Sequence, residues 1–566
     1  MVEVSHLIAR FLADRGVDRI FSLCGGHILP IWDHAHQLGI QVIGVRDERA
    51  AVHMANAHRE LTGCLGVTVV TAGPGLTNAV TGIANAHVSR VPILVISGVP
   101  PRPQENMGAL QGISHVDIVR SITRYARTIA QAAHVLRELD EAVAAAEGHC
   151  GEPGPAFIDF PTDVLRERIP ESLVDQPRLT GRGPISIMPS ADTVVSAAKM
   201  LCSAHRLLVI SGRGARGAGE PLIRFLDRMG CVYIDTGESR GLLPQDHPAF
   251  MPAVRGRAMG EADVVLTLGR SLDFQLGYGS PAVFPNARFV RIGTTPSELR
   301  GNRRADVELF ASPALALDAI LAATDKPPAT DAAWITDMRN LDRKRREELQ
   351  RQLVEACPGS DGAMHPYRLL GCIRDCLRPD AVVIADGGDI LSFSRIALGG
   401  SDYLDCGAFG CLGVGVPFGI ASALAFPQRQ VVVVTGDGSF GFNATELDTC
   451  KRHGARVVFV VANNAAWNIE RNDQKLAYGG RIVGTELEGC DYAAFARSLG
   501  VYGERVQDPE KLPQALQRAF EQAPALLDVV VTRDATSPDA LSGLPGIPDL
   551  QALSSWDKLE KVRWGR

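Results

Sequence analysis

Three features are missing from this chain of 566 residues, and each absence narrows what it does. There is no surplus of positive charge. With 58 lysines and arginines against 64 aspartates and glutamates the net charge is −6, which offers no field for the phosphate backbone of a nucleic acid. No apolar run is long enough to cross a bilayer and no basic-then-apolar leader opens the sequence, so neither membrane insertion nor export is expected. CxxC pairs are absent as well. Twelve scattered cysteines favour reduced thiols in a cytoplasmic protein over disulfides or structural zinc.

What is present is length, glycine and apolar residues. A chain of this size is too long for one core and suits three to four domains; 57 glycines with 46% hydrophobic and 22% charged residues indicate a soluble α/β protein. The chain is organised around residues 431 to 469, VVVVTGDGSFGFNATELDTCKRHGARVVFVVANNAAWNI. An apolar run ends at Thr435, breaks at Gly436-Asp437-Gly438, and continues as a helix. Asn443 with Glu446 resembles a capping box, and Gly454 after Lys451, Arg452 and His453 is a stop signal. A second β-rich run, Val457 to Val461, ends at Asn463-Asn464. Strand, helix and strand in so short a space make a βαβ unit with parallel strands, which places Asp437 and Asn464 at one carboxyl edge. Two oxygen-bearing side chains beside a glycine turn suit a hard cation together with a diphosphate; the plain alternative is a βα turn that Asp437 merely caps.

GDG, 24 residues from Ser439 to Ala462, then NN resembles the signature of thiamine diphosphate enzymes. The resemblance implies that Asp437, Asn464 and the carbonyl of Ala466 hold magnesium on the cofactor's diphosphate. It assigns Gly436, Gly438 and Ser439 to the same turn.

The N-terminal part reads as helix 4 to 16, strand Arg19 to Leu23, the turn Cys24-Gly25-Gly26-His27, a helix from Pro30, and strand Gln41 to Val45 ending in Arg46-Asp47-Glu48. A helix closed by Gly63 follows. Strand Gly66 to Val70 then runs into Thr71-Ala72-Gly73-Pro74-Gly75, with Asn78 behind it, and strand Pro92 to Ser97 leads through a proline-rich loop to Gln111. Glu48 at a strand-to-helix turn against apolar surface suits a carboxyl with a raised pKa; otherwise it caps its helix or pairs with Arg46 or Arg49. In acetohydroxyacid synthase and benzaldehyde lyase the N-terminal domain is similar. The resemblance matches Glu48 to the glutamate that favours the cofactor's imino tautomer, and Gln111 to a pocket glutamine. His27 matches the pocket histidine of benzaldehyde lyase, and with Gln111 would serve as proton relay or oxyanion donor.

After a polar linker, about Arg168 to Ser190, strand Leu207 to Ile210 opens a second α/β domain with GxGxxG over Gly212, Gly214 and Gly217 and Asp235 ending the next strand. This fingerprint keeps a nucleotide-dependent dehydrogenase or regulator open as a rival. The middle domain of thiamine diphosphate enzymes is similar, and holds FAD, ADP or nothing; Arg213, Arg216 and Arg270 would meet nucleotide phosphates or CoA there, or else are solvated surface charges. Residues 327 to 359 lose the strand pattern and read as a charged linker helix. The third domain starts at His365-Pro366. Its first strand ends at Asp386-Gly387-Gly388-Asp389, a second turn able to meet the diphosphate. In CGAFGCLGVGVP, Leu412 falls where the family has the wedge that bends the cofactor, with Gly410 offering a carbonyl to its amino group.

The expected architecture is three doubly wound parallel-sheet domains. They are a pyrimidine-binding domain over 1–167, a central nucleotide-binding-like domain over 190–325 and a diphosphate-binding domain over 360–535, followed by a lid-like tail over 536–566. GDGSFGFNATELDT and NNAAWNIERNDQ look most like benzaldehyde lyase and the 2-hydroxyacyl-CoA lyases, including the lyase of 2-hydroxyisobutyryl-CoA. The resemblance implies thiamine diphosphate, Mg²⁺ and possible use of ADP, with acyl-CoA and an aldehyde or ketone as substrates. It also implies a homodimer or homotetramer with sites between subunits. Glu470 is the carboxylate best placed to take the substrate hydroxyl proton, unless it is a surface partner of Arg471. Trp556, Lys558, Lys561, Arg563 and Arg566 would close over the site and meet CoA phosphates.

Overall fold

Three parallel sheets account for nearly every strand of the computed structural model, which describes residues 1–149, 151–177, 185–324, 328–399 and 402–541. The N-terminal sheet runs Gln41–Gly44, Arg19–Ser22, Gly66–Val70, Ile93–Val99, Pro155–Pro161, Tyr125–Thr128. The C-terminal sheet runs Asp402–Leu404, Val382–Asp386, Val431–Gly436, Val458–Asn463, Ala525–Val530, Tyr502–Val506. Numbered along the chain, both have the order 2-1-3-4-6-5, so the two domains repeat one topology. Five strands form the central sheet, Val232–Ile234, Leu207–Ser211, Val264–Leu268, Arg288–Gly293, Val307–Phe310, and Val2–Glu3 pairs antiparallel with Arg168–Ile169.

The residues explain the layers. Val382–Asp386 and Val458–Asn463 are buried throughout, as strands covered by helices on both faces must be, which is why they read as apolar runs without alternation. In each six-stranded sheet the chain leaves the first strand for one side and returns on the other. The crevice at the carboxyl ends of strands one and three is therefore open for a ligand. It lies beyond Ser22 and Val70 in the N-terminal sheet, and beyond Asp386 and Gly436 in the C-terminal one.

One apolar core joins the two repeats. Helix Glu48–Thr62 packs along helix Gly415–Ala425, and Val52, Met54 and Ala55 share a buried cluster with Phe418, Ile420 and Val433. Polar contacts fix the joint: Glu446 accepts the N–H groups of Arg46 and Asp47, both at 3.0 Å, and Arg49 donates to the Phe442 carbonyl at 2.7 Å. This corrects the capping-box reading. Asn443 donates instead to the Gly413 carbonyl at 2.6 Å, Glu446 turns to the other domain, and the helix after GDG is broken into Asp437–Phe440 and Leu447–Arg452. Residues 327–359 contain the expected helix, Ala332–Glu355. No described helix is long and apolar enough to cross a membrane.

Burial pushes the Glu446 carboxyl up to about 7, against the donors that favour its charge. A carboxyl raised in the folded state adds stability that is complete below its unfolded pKa and is lost as pH rises through the folded value. Stability should therefore fall between about pH 4.5 and 7 by up to ~1.4 kcal/mol per pH unit from this group. Urea unfolding across that range checks it: Glu446→Gln should flatten the slope, and an unchanged slope assigns it to other groups.

Candidate active site

A cavity of about 330 Å³ opens at the switch point of the C-terminal sheet. Gly436 pairs in register with Ala462, so Asp437 and Asn464 emerge side by side from adjacent strands, and both line it. Asp437 is 3% exposed, and burial pushes its carboxyl up to about 6 although the N–H groups of Gly438, Ala465 and Ala466 favour the charge. Between Asn464 and Ala466 the chain takes a left-handed turn, with Ala465 at φ 51°; a non-glycine residue held there is strain of the kind found at functional turns. Asn464 Oδ1 accepts the Ala466 N–H at 3.1 Å. Gly438 has no room for a side chain, since a Cβ would lie 2.5 Å from the Trp467 ring.

Gly388, Asp389, Gly410, Leu412 and Ser439 line the same cavity. The loop bearing Leu412 is pinned from below, because Asp386 accepts the N–H groups of Gly413 at 3.2 Å and Gly415 at 2.8 Å. Asn468 Nδ2 donates to Asp389 Oδ2 at 2.9 Å, while Asp389 Oδ1 and the amide oxygen of Asn468 are buried without a hydrogen bond. Glu470 stands exposed at the mouth, its pKa raised by partial burial and by Asp473.

Glu48, His27 and Gln111 come together elsewhere, at the switch point of the N-terminal sheet. Glu48 begins its helix beside the cap Asp47, is 4% exposed, and accepts from Asn78 at 3.1 Å; burial raises its pKa. His27 Nδ1 is 3.3 Å from Thr71 Oγ1, and burial and His115 lower its pKa. Gln111, at φ 63°, lies against Gly73, where a Cβ would be 2.8 Å from its carbonyl. Gly73 in turn donates to His115 Nε2 at 2.9 Å. None of Glu48, His27 and Gln111 lines the cavity of the C-terminal sheet in the same chain.

Arg213, Arg216 and Arg270 sit at the central switch point, paired with Glu60, Glu60 and Glu238 respectively. None of the three lines the cavity. The tail residues Trp556, Lys558, Lys561, Arg563 and Arg566 lie outside the described residues, but the chain leading to them passes the cavity, which Asp539 lines. Sequence reasoning missed Asp386 and Asn468, although both stand inside motifs it singled out. It had no signal for Phe274 and Gln275, which the central domain sends into the cavity wall.

Three family profiles match in order along the chain. They are the thiamine pyrophosphate enzyme N-terminal TPP binding domain over residues 2–118, the central domain over 194–320, and the C-terminal TPP binding domain over 391–529. A probable acetolactate synthase of Mycobacterium bovis is 33% identical over 541 residues, covering 94% of this chain and 96% of its own. The chain belongs to the thiamine pyrophosphate enzymes. Two further relatives carry another name within the family. 2-Hydroxyacyl-CoA lyase 2 of Caenorhabditis elegans is 31% identical over 93% of this chain and 89% of its own, and human 2-hydroxyacyl-CoA lyase 1 is 28% identical over 94% and 95%.

The residues present fit the cofactor of a thiamine pyrophosphate enzyme. A buried carboxylate raised to about 6, an amide and a backbone carbonyl form an all-oxygen donor set suited to Mg²⁺. Two buried acceptor oxygens beside them, on Asp389 and Asn468, lack a hydrogen bond and suit a donor or a cation.

Proposed function

We propose that this enzyme cleaves the C1–C2 bond of a 2-hydroxyacyl-CoA to formyl-CoA and an aldehyde or ketone, and in reverse joins them. The observation that carries this reading is the charge of the cavity wall. Arg395 is the one cation among its described lining residues, and Asp405 at 2.9 Å and Asp539 at 3.8 Å take it up. A 2-keto acid would bring a carboxylate beside the reacting carbon that needs an answering charge out of water; a thioester brings no charge there, since the phosphates of CoA lie far from its carbonyl. The acetolactate synthase name borne by the M. bovis relative favours a second reading, carboligation of 2-keto acids.

In this reading Asp437, Asn464 and the Ala466 carbonyl hold Mg²⁺, and the turn Gly436–Ser439 with Gly388 and Asp389 receives the diphosphate. Leu412 and the Gly410 carbonyl shape and orient the cofactor. Bound there, thiamine diphosphate supplies a nucleophilic carbon for carbonyl groups and a sink for the electron pair of the broken bond. Glu48, whose pKa burial raises, would donate to the pyrimidine ring. Glu470 takes the proton of the 2-hydroxyl as C2 becomes a carbonyl, and C1, left with the electron pair of the broken bond, gains a proton to become formyl. His27 and Gln111 face it as relay and oxyanion donors.

Because Glu48 and Asp437 lie in separate half-sites of one chain, a second copy has to bring its Glu48 to this cavity. Exposed apolar side chains flank both halves, Met107, Leu110 and Ile113 around Gln111 and Phe409 and Phe442 around Leu412, as surfaces covered by a partner would. A homodimer is the smallest active unit, and a homotetramer pairs two. The scattered thiols, free among the described residues, agree with a cytoplasmic home.

The test is kcat/KM for a panel of 2-hydroxyacyl-CoAs and for pyruvate on the full-length enzyme with thiamine diphosphate and Mg²⁺. The best thioester should exceed pyruvate by about 100-fold, the difference an unanswered carboxylate makes. If pyruvate gives acetolactate faster than any thioester gives formyl-CoA, the second reading replaces this one. Deletion after Leu541 should raise KM for the acyl-CoA several-fold and leave cofactor affinity unchanged; normal cleavage by the shortened enzyme removes the tail from the CoA site.

A further inference from the structure

The switch point of the central sheet, between Leu207–Ser211 and Val264–Leu268, is where a doubly wound domain takes a nucleotide, and its turn carries the glycine fingerprint. Here the protein itself fills the place. The N–H groups of Gly212 and Gly214 donate to the Leu268 and Gly269 carbonyls, both at 3.0 Å. Those of Ala215 and Arg216 donate to Gly212 at 3.0 Å and Arg213 at 3.1 Å, so these four donors are already used. The missing side chains leave no cradle. A Cβ on Gly212 would lie 2.6 Å from Arg270 Cδ, and one on Gly214 would lie 2.6 Å from Glu298 Oε1 and 2.8 Å from Gly269 Cα. Gly212 and Gly214 are there so that two turns of the chain can touch, and Gly217 takes the left-handed turn at φ 84°.

Charge gives the same answer. Glu60 pairs with both Arg213 and Arg216. Glu238 meets Arg270 at 3.2 Å, Arg90 at 3.6 Å and Arg213 at 3.7 Å; Glu298 meets Arg90 at 3.0 Å, and Asp273 meets Arg270 at 2.8 Å. Four guanidinium groups thus face four carboxylates, whereas a diphosphate site needs a surplus of positive charge. Among the buried atoms of these four guanidinium groups, the Nε atoms of Arg213 and Arg270 lack a hydrogen bond, and both belong to groups paired through their other nitrogens. Burial pushes the Glu60 carboxyl up, yet Arg213 and Arg216 hold it at about 2. ADP and FAD do not fit.

Glu60 and Arg90 come from the N-terminal domain, Glu60 from the last turn of the helix that Glu48 begins. At the far end of the network Arg270 donates to Gln275 Oε1 at 2.9 Å, and Gln275 lies in the wall of the C-terminal cavity. We propose that the fingerprint turn is a clasp: it binds no adenine nucleotide, and its arginines and carboxylates lock the central domain to the N-terminal one. This holds whichever substrate the enzyme takes.

The test denatures purified full-length protein, searches the released small molecules by mass spectrometry, and titrates ADP and FAD into the intact enzyme by calorimetry. No stoichiometric nucleotide and no saturable heat are expected. Glu60→Gln leaves the half-buried Arg213 with Glu238 alone and the more exposed Arg216 with no carboxylate, and should lower the melting temperature by roughly 5 °C. A nucleotide recovered at about one per chain, or ADP binding that Arg213→Gln removes, overturns the proposal, since a phosphate site would need that arginine. So does a Glu60→Gln protein that melts with its parent. Should that variant not fold, the nucleotide content and ADP titration of the parent decide alone.

Discussion

Asp437→Ala is expected to lose magnesium and thiamine diphosphate together, with apparent cofactor affinity falling by roughly two orders of magnitude or more. The carboxyl is buried at the strand end and raised to about 6 without a cation beside it, so a bound cation would draw it back to the charged form. Binding then displaces a proton wherever Asp437 is protonated beforehand. Affinity for magnesium in the parent should accordingly weaken as pH falls below about 6, and that dependence should vanish in Asp437→Ala. Calorimetric titration of cofactor and magnesium between pH 5 and 8 reads both effects. Equal affinity in variant and parent would place the metal elsewhere.

Glu48→Gln should do the reverse, keeping the cofactor and losing turnover by about 10²- to 10⁴-fold, the usual contribution of a positioned proton donor. Burial raises the Glu48 pKa, so its proton survives to higher pH than an exposed glutamate's, and activity should decline as pH rises through that value. Glutamine keeps the shape and can still accept from Asn78, so folding is preserved. Exchange of the bound cofactor's C2 proton, followed by NMR, separates this role from a structural one. Exchange as fast in the variant as in the parent removes Glu48 from it.

Much of this was legible in the sequence for a physical reason. A βα turn at a sheet edge has few solutions, so GDG followed at fixed spacing by NN announces its local structure, and its resemblance pointed to the family that the profiles match. The buried strands were equally plain, since sheets covered on both faces are written in valine and isoleucine. What misled was ambiguity of partner. Asn443 and Glu446 have capping-box spacing, yet Asn443 secures the loop of Leu412 and Glu446 holds the N-terminal domain. Arg213, Arg216 and Arg270 stand where phosphate-binding arginines would, but Glu60 from another domain, Glu238 from a distant turn and Asp273 three residues beyond Arg270 answer them. Phe274 and Gln275 reach the cavity from a third domain, a placement no local pattern encodes.

We propose that the two half-sites, at equivalent switch points of repeated sheets, meet only between copies of the chain. Co-expression of Glu48→Gln with Asp437→Ala, each nearly inactive alone, tests it directly. Random pairing makes half the dimers mixed, and each mixed dimer has one site with both lesions and one intact, so about a quarter of parental activity should return. If the mixture is no more active than its two components, Glu48 and Asp437 act within one chain and the assembled site described here is wrong.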